Sequence, residues 1–383
     1  MKHVLPILLF LTGLGSAAQT ALYNDGSIRI HSEGQIGFHA NFINNGIFDE
    51  NLGLAGFYGN TALTISGTVV PVFFDVELAN DMGILLQQSL DNSNNTNFIS
   101  GDFRTPRSQN GIAYTFLEDA FYVGDANMSK VDGYAQIVNQ QNFTFPVGSE
   151  EQLRPLILNS QDINPTAQCA YFLENPNFPQ SFDTPFESER KTRDLGAIST
   201  TEFWYLEGTV PSTISISWNI DSNLELITED PAGIIPVGWK KETRRWESLA
   251  GEDTAVGDLE QGFITSAVFI PDDYEVITFG SLPEPPQFIS LDNYLVTPNG
   301  DGINDSLILN ELENAPNNEV HIFDRFGIKV FQQENYTNEF TGFSNKGNVF
   351  LNEDKGLPAG VYFYVVYLKD LDIDLQGFLY LAR

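Results

Sequence analysis

Past its N-terminal stretch, the chain never sustains an apolar stripe at helical spacing. Short apolar runs are instead broken every several residues by Asn, Gly, Ser or Thr. A helix needs apolar residues at i, i+3 and i+4 over about ten positions, whereas a strand needs only about four to eight alternating residues. The chain is therefore expected to be all-β. Its 30 Phe and 14 Tyr fit that class, because aromatic rings pack well on a pleated surface. With 383 residues and 42% apolar content, two or three cored domains are expected, and whole-chain disorder is excluded.

The formal net charge of −32 sets further limits. Such a chain repels nucleic acid and anionic membrane surfaces at long range, so nucleic-acid binding is set aside. The acidity fits solubility outside the cytoplasm, with some carboxylates available for Ca²⁺. The single cysteine, Cys169, rules out an intramolecular disulfide framework and reads as a small hydrophobe in "AQCAYFL".

Residues 1–18 read as a signal peptide. Lys2 gives the basic start, Val4 to Leu11 the apolar core, and Ser16 and Ala18 the small residues before a mature start near Gln19. The apolar run is too short to span a bilayer. No cysteine stands at the junction, which argues against a lipoprotein.

Residues 19–135 are rich in Asn and Gly with short apolar beats, as in "NDGSIRIHSEGQIGFHANFINNG". Stacked β-solenoid coils with Asn or Gly at the corners explain this, although no period can be fixed; an antiparallel sandwich is the alternative. Residues 136–280 are expected to form an antiparallel β-sandwich. In "STISISWNI", Ile214, Ile216 and Trp218 share one face, and "PDD" joins two strand-like runs in "GFITSAVFIPDDYEVITFGS". Basic residues concentrate in "RKTR" (190–193) and "KKETRR" (240–245), read as solvated loops or partners of nearby carboxylates. "SLPEPPQ" (281–287) is a Pro-rich linker. Residues 288–383 form a last domain. It carries a hairpin around "DRFG" (324–327) and a second hairpin from "AGVYFYVVYLKD" to "LQGFLYLAR", ending at the final residue. Chain ends fray unless held, so something requires this one to be ordered.

The loop "TPNGDGINDS" gathers Asn299, Asp301, Asn304 and Asp305 around two glycines. It is out of register with an EF-hand. Two readings stand: a Ca²⁺ loop built on these four residues, or consecutive tight turns in which Asn and Asp side chains bond to backbone amides.

The last segment as a whole resembles a known family. "TPNGDGIND" (297–305), "VHIFDRFGIKVF" (320–331), "NYTNEFTG" (335–342), "LPAGVYFYVVYL" (357–368) and "GFLYLAR" (377–383) occur in the order found in the gliding-motility-associated C-terminal domain of Bacteroidetes surface proteins. This is the type B sorting domain of the type IX secretion system. Phe326 and Phe340 stand where the family usually has Trp, each keeping a ring for packing. The upstream regions resemble solenoid and sandwich modules of surface proteins in the same phylum. The resemblance implies a small Ig-like β-sandwich that serves as address, Sec export, and passage through the type IX translocon. It also implies docking on an outer-membrane β-barrel of the PorP/SprF family.

The expected function follows: a non-enzymatic surface protein acting in adhesion or gliding. No H-E-x-x-H, G-x-S-x-G or Ser/His/Asp set stands out, so a secreted hydrolase is a weaker alternative. A second alternative is a module for a surface glycan, for which an exposed Trp would be needed. Trp246, beside Arg244 and Arg245, is the candidate. In "GVYFYVVYLKD" both faces are apolar, Tyr362, Tyr364 and Val366 on one and Val361, Phe363, Val365 and Tyr367 on the other. One face suffices for a core. The expected partner-binding residues are Tyr362, Tyr364, Phe378, Tyr380 and Arg383.

Overall fold

The computed structural model describes residues 21–283, 294–309, 312, 317–346, 356–369 and 373–383. The expected signal peptide (1–18) and most of the expected 281–287 linker lie outside them. The chain divides into two compact units, Met1–Pro283 and Glu284–Arg383.

The first unit begins as stacked coils. Each coil gives one strand to each of two walls. One wall is a six-stranded parallel sheet that starts with Ala21–Asn24, Asn41–Asn44 and Leu63–Gly67. The other starts with Gln35–Phe38, Leu54–Gly59 and Val72–Asn80, also parallel. Register fixes the period that the sequence hides. Ala21 lies beside Asn41, Phe42 beside Ile65 and Leu63 beside Ile84, so a coil takes about 20 residues. A column of phenylalanines fills the space between the walls. Phe38 stacks on Phe57 at 4.8 Å, and Phe57 meets Phe103 edge-on at 5.9 Å.

The asparagines hold the corners. Asn24 donates to the side chain of Asn44 at 2.7 Å, and Asn44 donates to the carbonyl of Val69 at 2.8 Å. Both are buried, and the bonds answer the desolvation that burial would otherwise leave uncompensated. Close stacking also explains Gly46, where a Cβ would lie 2.3 Å from the carbonyl oxygen of Gly26 in the preceding coil.

The passage from coils to sandwich occurs within the sheet. Strand Tyr134–Phe145 pairs parallel with the last coil strand, Tyr114–Leu117, and antiparallel with Leu156–Phe172. The boundary expected at 135/136 thus lies inside one strand. The long strand Leu156–Phe172 then feeds two branches. Its first residues pair with Ser212–Trp218 and its last with Phe203–Gly208. The two runs flanking "PDD" are both strands, but Gly262–Thr265 joins the first branch and Tyr274–Ser281 the second. Trp204 and Trp218 both meet the ring of Phe279, at 5.6 and 5.7 Å, bringing the branches together.

Two ion pairs are buried inside this unit, Lys130–Asp102 and Arg154–Glu202. Arg154 and Glu202 are 2% and 1% exposed. Arg154 Nε donates to Glu202 Oε2 at 3.1 Å, a second guanidinium nitrogen reaches Oε1, and Tyr171 donates to Oε2 at 2.6 Å. The guanidinium lies 5.7 and 5.6 Å from the ring centres of Tyr171 and Trp204.

The second unit contains a five-stranded sheet. Its order is Tyr294–Val296, Ile373–Leu381, Gly360–Leu368, Asn318–Phe323 and Lys329–Glu334. The first pair is parallel and the others antiparallel, including both expected hairpins. The expectation of a small Ig-like sandwich needs one refinement. Among the described residues, the layer over the sheet is made by connecting segments, through Leu307, Leu309, Leu312, Tyr336, Phe340 and Leu357.

Candidate functional site

The C-terminal sheet has one face in the core and one outside. Side chains alternate along a strand, so register decides which residues share a face. Tyr362, Tyr364, Val366, Leu379 and Leu381 point inward with Val320 and Ile322. On the outer face Val361 lies opposite Tyr380, and Phe363 opposite Phe378. Leu295 extends the row as the register partner of Tyr380. These five side chains are 43–49% exposed. The exposed rings and methyls therefore form one contiguous apolar patch.

Past half-buried Phe323, Val365 and Tyr367, that face turns ionic. Glu319 accepts hydrogen bonds from Gln332 at 2.5 Å and pairs with His321 at 2.9 Å and Lys369 at 3.3 Å. The hydrogen bond with His321, ahead of those with Gln332 and Lys369, lowers the Glu319 carboxyl to about 2. The His321 ring stands edge-on to Tyr367 at 4.9 Å. The outer face is thus apolar toward Leu295 and Tyr380 and ionic toward Glu319 and Lys369.

Of the five expected partner-binding residues, Phe378 and Tyr380 lie together in the patch. Tyr362 and Tyr364 do not. They are buried on the opposite face, with the Tyr362 hydroxyl donating to the carbonyl of Pro358 at 2.8 Å. The antiparallel register sets Tyr380 across from Val361, so the outward set is Val361 and Phe363 rather than the tyrosines. Arg383 is held elsewhere, donating to Gly342 O at 3.2 Å and covering the ring of Phe343 at 5.3 Å. Leu295 was not foreseen, because its place depends on a parallel pairing between segments far apart in sequence. The two Phe-for-Trp departures part ways. Phe340 is buried against Phe331 at 5.1 Å, whereas Phe326 is 73% exposed in the hairpin turn beside Arg325.

The loop after strand Tyr294–Val296 brings its four expected ligands together as a set of turns. Asp305 accepts the amides of Gly300 at 2.7 Å and Gly302 at 2.8 Å, one on each oxygen. Asn299 Oδ1 accepts the amide of Asp301 at 3.0 Å, and Asp301 Oδ1 that of Ile303 at 2.8 Å. The bond from Ile303 lowers the Asp301 carboxyl below its ordinary range. Gly300, Gly302 and Asn304 all have left-handed backbone, with φ of 78°, 85° and 56°. The side-chain oxygens of Asn299, Asp301 and Asp305 are used on amide groups, so a cation there would have to displace turn bonds. Among the described residues no group of three or more His, Cys, Asp or Glu has an arrangement suited to a metal ion.

The sheet, this loop and the terminal strand carry the comparison with known proteins. Residues 289–381 match the family model described as the CHU_C type IX secretion signal domain. The C-terminal domain is a type IX secretion signal domain. The family implies a Bacteroidetes source, and the chain is a cargo of type IX secretion, exported to the cell surface or released. No curated protein and no solved structure matches the chain. In the signal domain, the ordered end is explained by pairing. Leu381 lies between Gly360 and Val296 in the sheet, and Ala382 still donates to Val296.

The upstream unit alters the glycan alternative. All four tryptophans are buried, Trp246 included. Trp246 sits across the strand from Trp239 and donates to the carbonyl of Phe186 at 3.3 Å. "KKETRR" turns the hairpin, so alternation sends Arg245 outward and Trp246 inward. The lysines of that turn reach carboxylates, Lys240 to Glu247 at 3.5 Å and Lys241 to Glu207 at 3.9 Å. Cys169 is buried, and burial pushes its thiol well above the ordinary value.

Proposed function

We propose that the protein is a non-enzymatic surface component that crosses the inner membrane by the Sec route, behind its N-terminal signal. On this reading an outer-membrane β-barrel of the PorP/SprF family then holds it through its signal domain. The upstream unit would act outside the cell in adhesion or gliding. The single observation that carries this reading is the apolar patch of Leu295, Val361, Phe363, Phe378 and Tyr380. A contiguous apolar surface on an exported acidic protein is a liability unless a partner covers it. The ionic end of the same face gives such an interface a polar rim, as interfaces commonly have. The one thiol, Cys169, is buried with a raised pKa, which does not suit it to thiolate chemistry.

The test is co-purification of the barrel with the full chain from detergent-solubilised membranes. Phe363→Glu and Tyr380→Glu each place a charge in the patch and leave the core face untouched. Disrupting a central anchor of an interface costs about 2 kcal/mol or more, roughly thirtyfold in affinity. Undiminished capture of the barrel by both variants, folded by circular dichroism, would overturn the proposal.

A further inference from the structure

The outer side of the coiled wall carries a groove that the secretion function does not use. It has a volume of about 660 Å³. Register lays Gln35, Leu54, Asp75, Asn95 and Phe121 side by side across five strands. At the usual strand spacing that row runs about 19 Å. A parallel row holds Gly37, Gly56, Glu77, Asn97 and Val123.

The two rows differ in kind. At the glycines the sheet has no side chain of its own, and the ring of Tyr58 lies over Gly56, where a Cβ would come within 2.2 Å of it. Tyr58 donates to Glu77 Oε1 at 2.8 Å, and Asn97 donates to Oε2 at 3.3 Å. Asn94 donates to Asp75 Oδ1 at 2.7 Å. Among the described residues, Asn95 Oδ1 is buried without a hydrogen-bond partner. Phe121, the register neighbour of Asn95, is 49% exposed and closes the groove at one end. The same ring borders a second depression of about 780 Å³ toward the Tyr134–Phe145 hairpin.

We propose that this groove binds a neutral glycan chain laid across the strands, stacked on Phe121 and held through its hydroxyls by Asp75, Glu77 and Asn97. An elongated groove with aromatic surfaces and aligned carboxylates and amides suits a polymer of hydroxylated rings. Pyranose C–H faces pack on an aromatic ring, and carboxylates accept from hydroxyl pairs. The groove has no Lys or Arg in its lining, and the chain carries a net charge of −32, so acidic glycans are repelled. This proposal is independent of barrel docking, which involves the other unit.

The experiment is affinity electrophoresis of the full chain in gels containing a mixed-linkage β-glucan, an α-mannan or, as the anionic control, polygalacturonate. Chito-oligosaccharide binding is measured by calorimetry. Binding to at least one neutral glycan and none to polygalacturonate is expected. Phe121→Ala should weaken it at least tenfold with an unchanged melting temperature, because that ring is half exposed. Glu77→Gln should weaken it several-fold, and Asn97→Ala replaces it should the Glu77 variant misfold. The proposal is overturned by absence of binding to all three neutral glycans, or by full binding in Phe121→Ala. Retention only by a polycation such as polylysine, abolished by salt, overturns it as well, since that is simple charge attraction.

Discussion

Glu202→Gln removes the charge from a buried group while keeping its shape. In the parent, Glu202 balances Arg154 and accepts from Tyr171, with both ionic side chains almost fully buried. The variant leaves the guanidinium charged and uncompensated. Removing one partner from such a pair costs about 3–5 kcal/mol. The rings of Tyr171 and Trp204 flanking Arg154 give back part of this, about 1 kcal/mol or more by cation–π attraction. Ser222, accepting from Arg154 at 2.7 Å, stays in place. A net loss of about 3 kcal/mol is therefore expected, lowering the melting temperature by roughly 6–12 °C. Tryptophan fluorescence is the assay. All four tryptophans belong to the first unit, and the indole of Trp204 donates to the carbonyl of Arg154 at 3.0 Å. The double variant Arg154→Met/Glu202→Leu removes both charges and should recover to within about 2 kcal/mol of the parent. A loss below about 1 kcal/mol in Glu202→Gln, or a double variant as unstable as the single, would refute the reasoning.

Two further outcomes concern the signal domain. Asp305→Ala should speed hydrogen exchange at the amides of Gly300 and Gly302, each bond being worth about 1 kcal/mol, and equally in Ca²⁺ and in chelator; acceleration confined to Ca²⁺ would instead reveal a bound ion. Glu319 has its carboxyl lowered from 4.5 to about 2, so between those values the unfolded chain takes up a proton that the folded one refuses. Its stabilising contribution is present above pH 4.5 and disappears as pH falls through about 2, so amide protection in strand Asn318–Phe323 should decline over that window. Glu319→Gln should flatten the decline, and an unchanged profile would remove Glu319 as its cause.

Much of the signal domain was readable as sequence because its information is local. Both hairpins follow from alternating runs around short turns, and the run of Asn, Asp and Gly from 299 to 305 already contains the groups that close its turns. The two faces of Gly360–Leu368 were also separable by alternation. Which face became the core was not, because both are equally apolar. That choice rests on Tyr336, Phe340 and Leu357, which cover the face of Tyr362 and Tyr364. Trp246 misled for a related reason: its arginine neighbours suggest solvent, but its burial comes from Trp239 across the strand and Phe186, sixty residues away.

The sequence by itself determined the all-β class, the last hairpins and the secretion signal, and favoured stacked coils with Asn and Gly at their corners over a sandwich. Each is encoded by composition or by patterns over a few residues, and local backbone chemistry reads them directly. Tertiary structure alone decided the coil period, the branching of Leu156–Phe172, the sealed Arg154–Glu202 pair, the outward patch and the row that ends at Phe121. In each case residues tens of positions apart must meet. Their pairing is set by which arrangement buries the most apolar surface while satisfying every buried polar group, a condition on the whole chain that no local stretch contains.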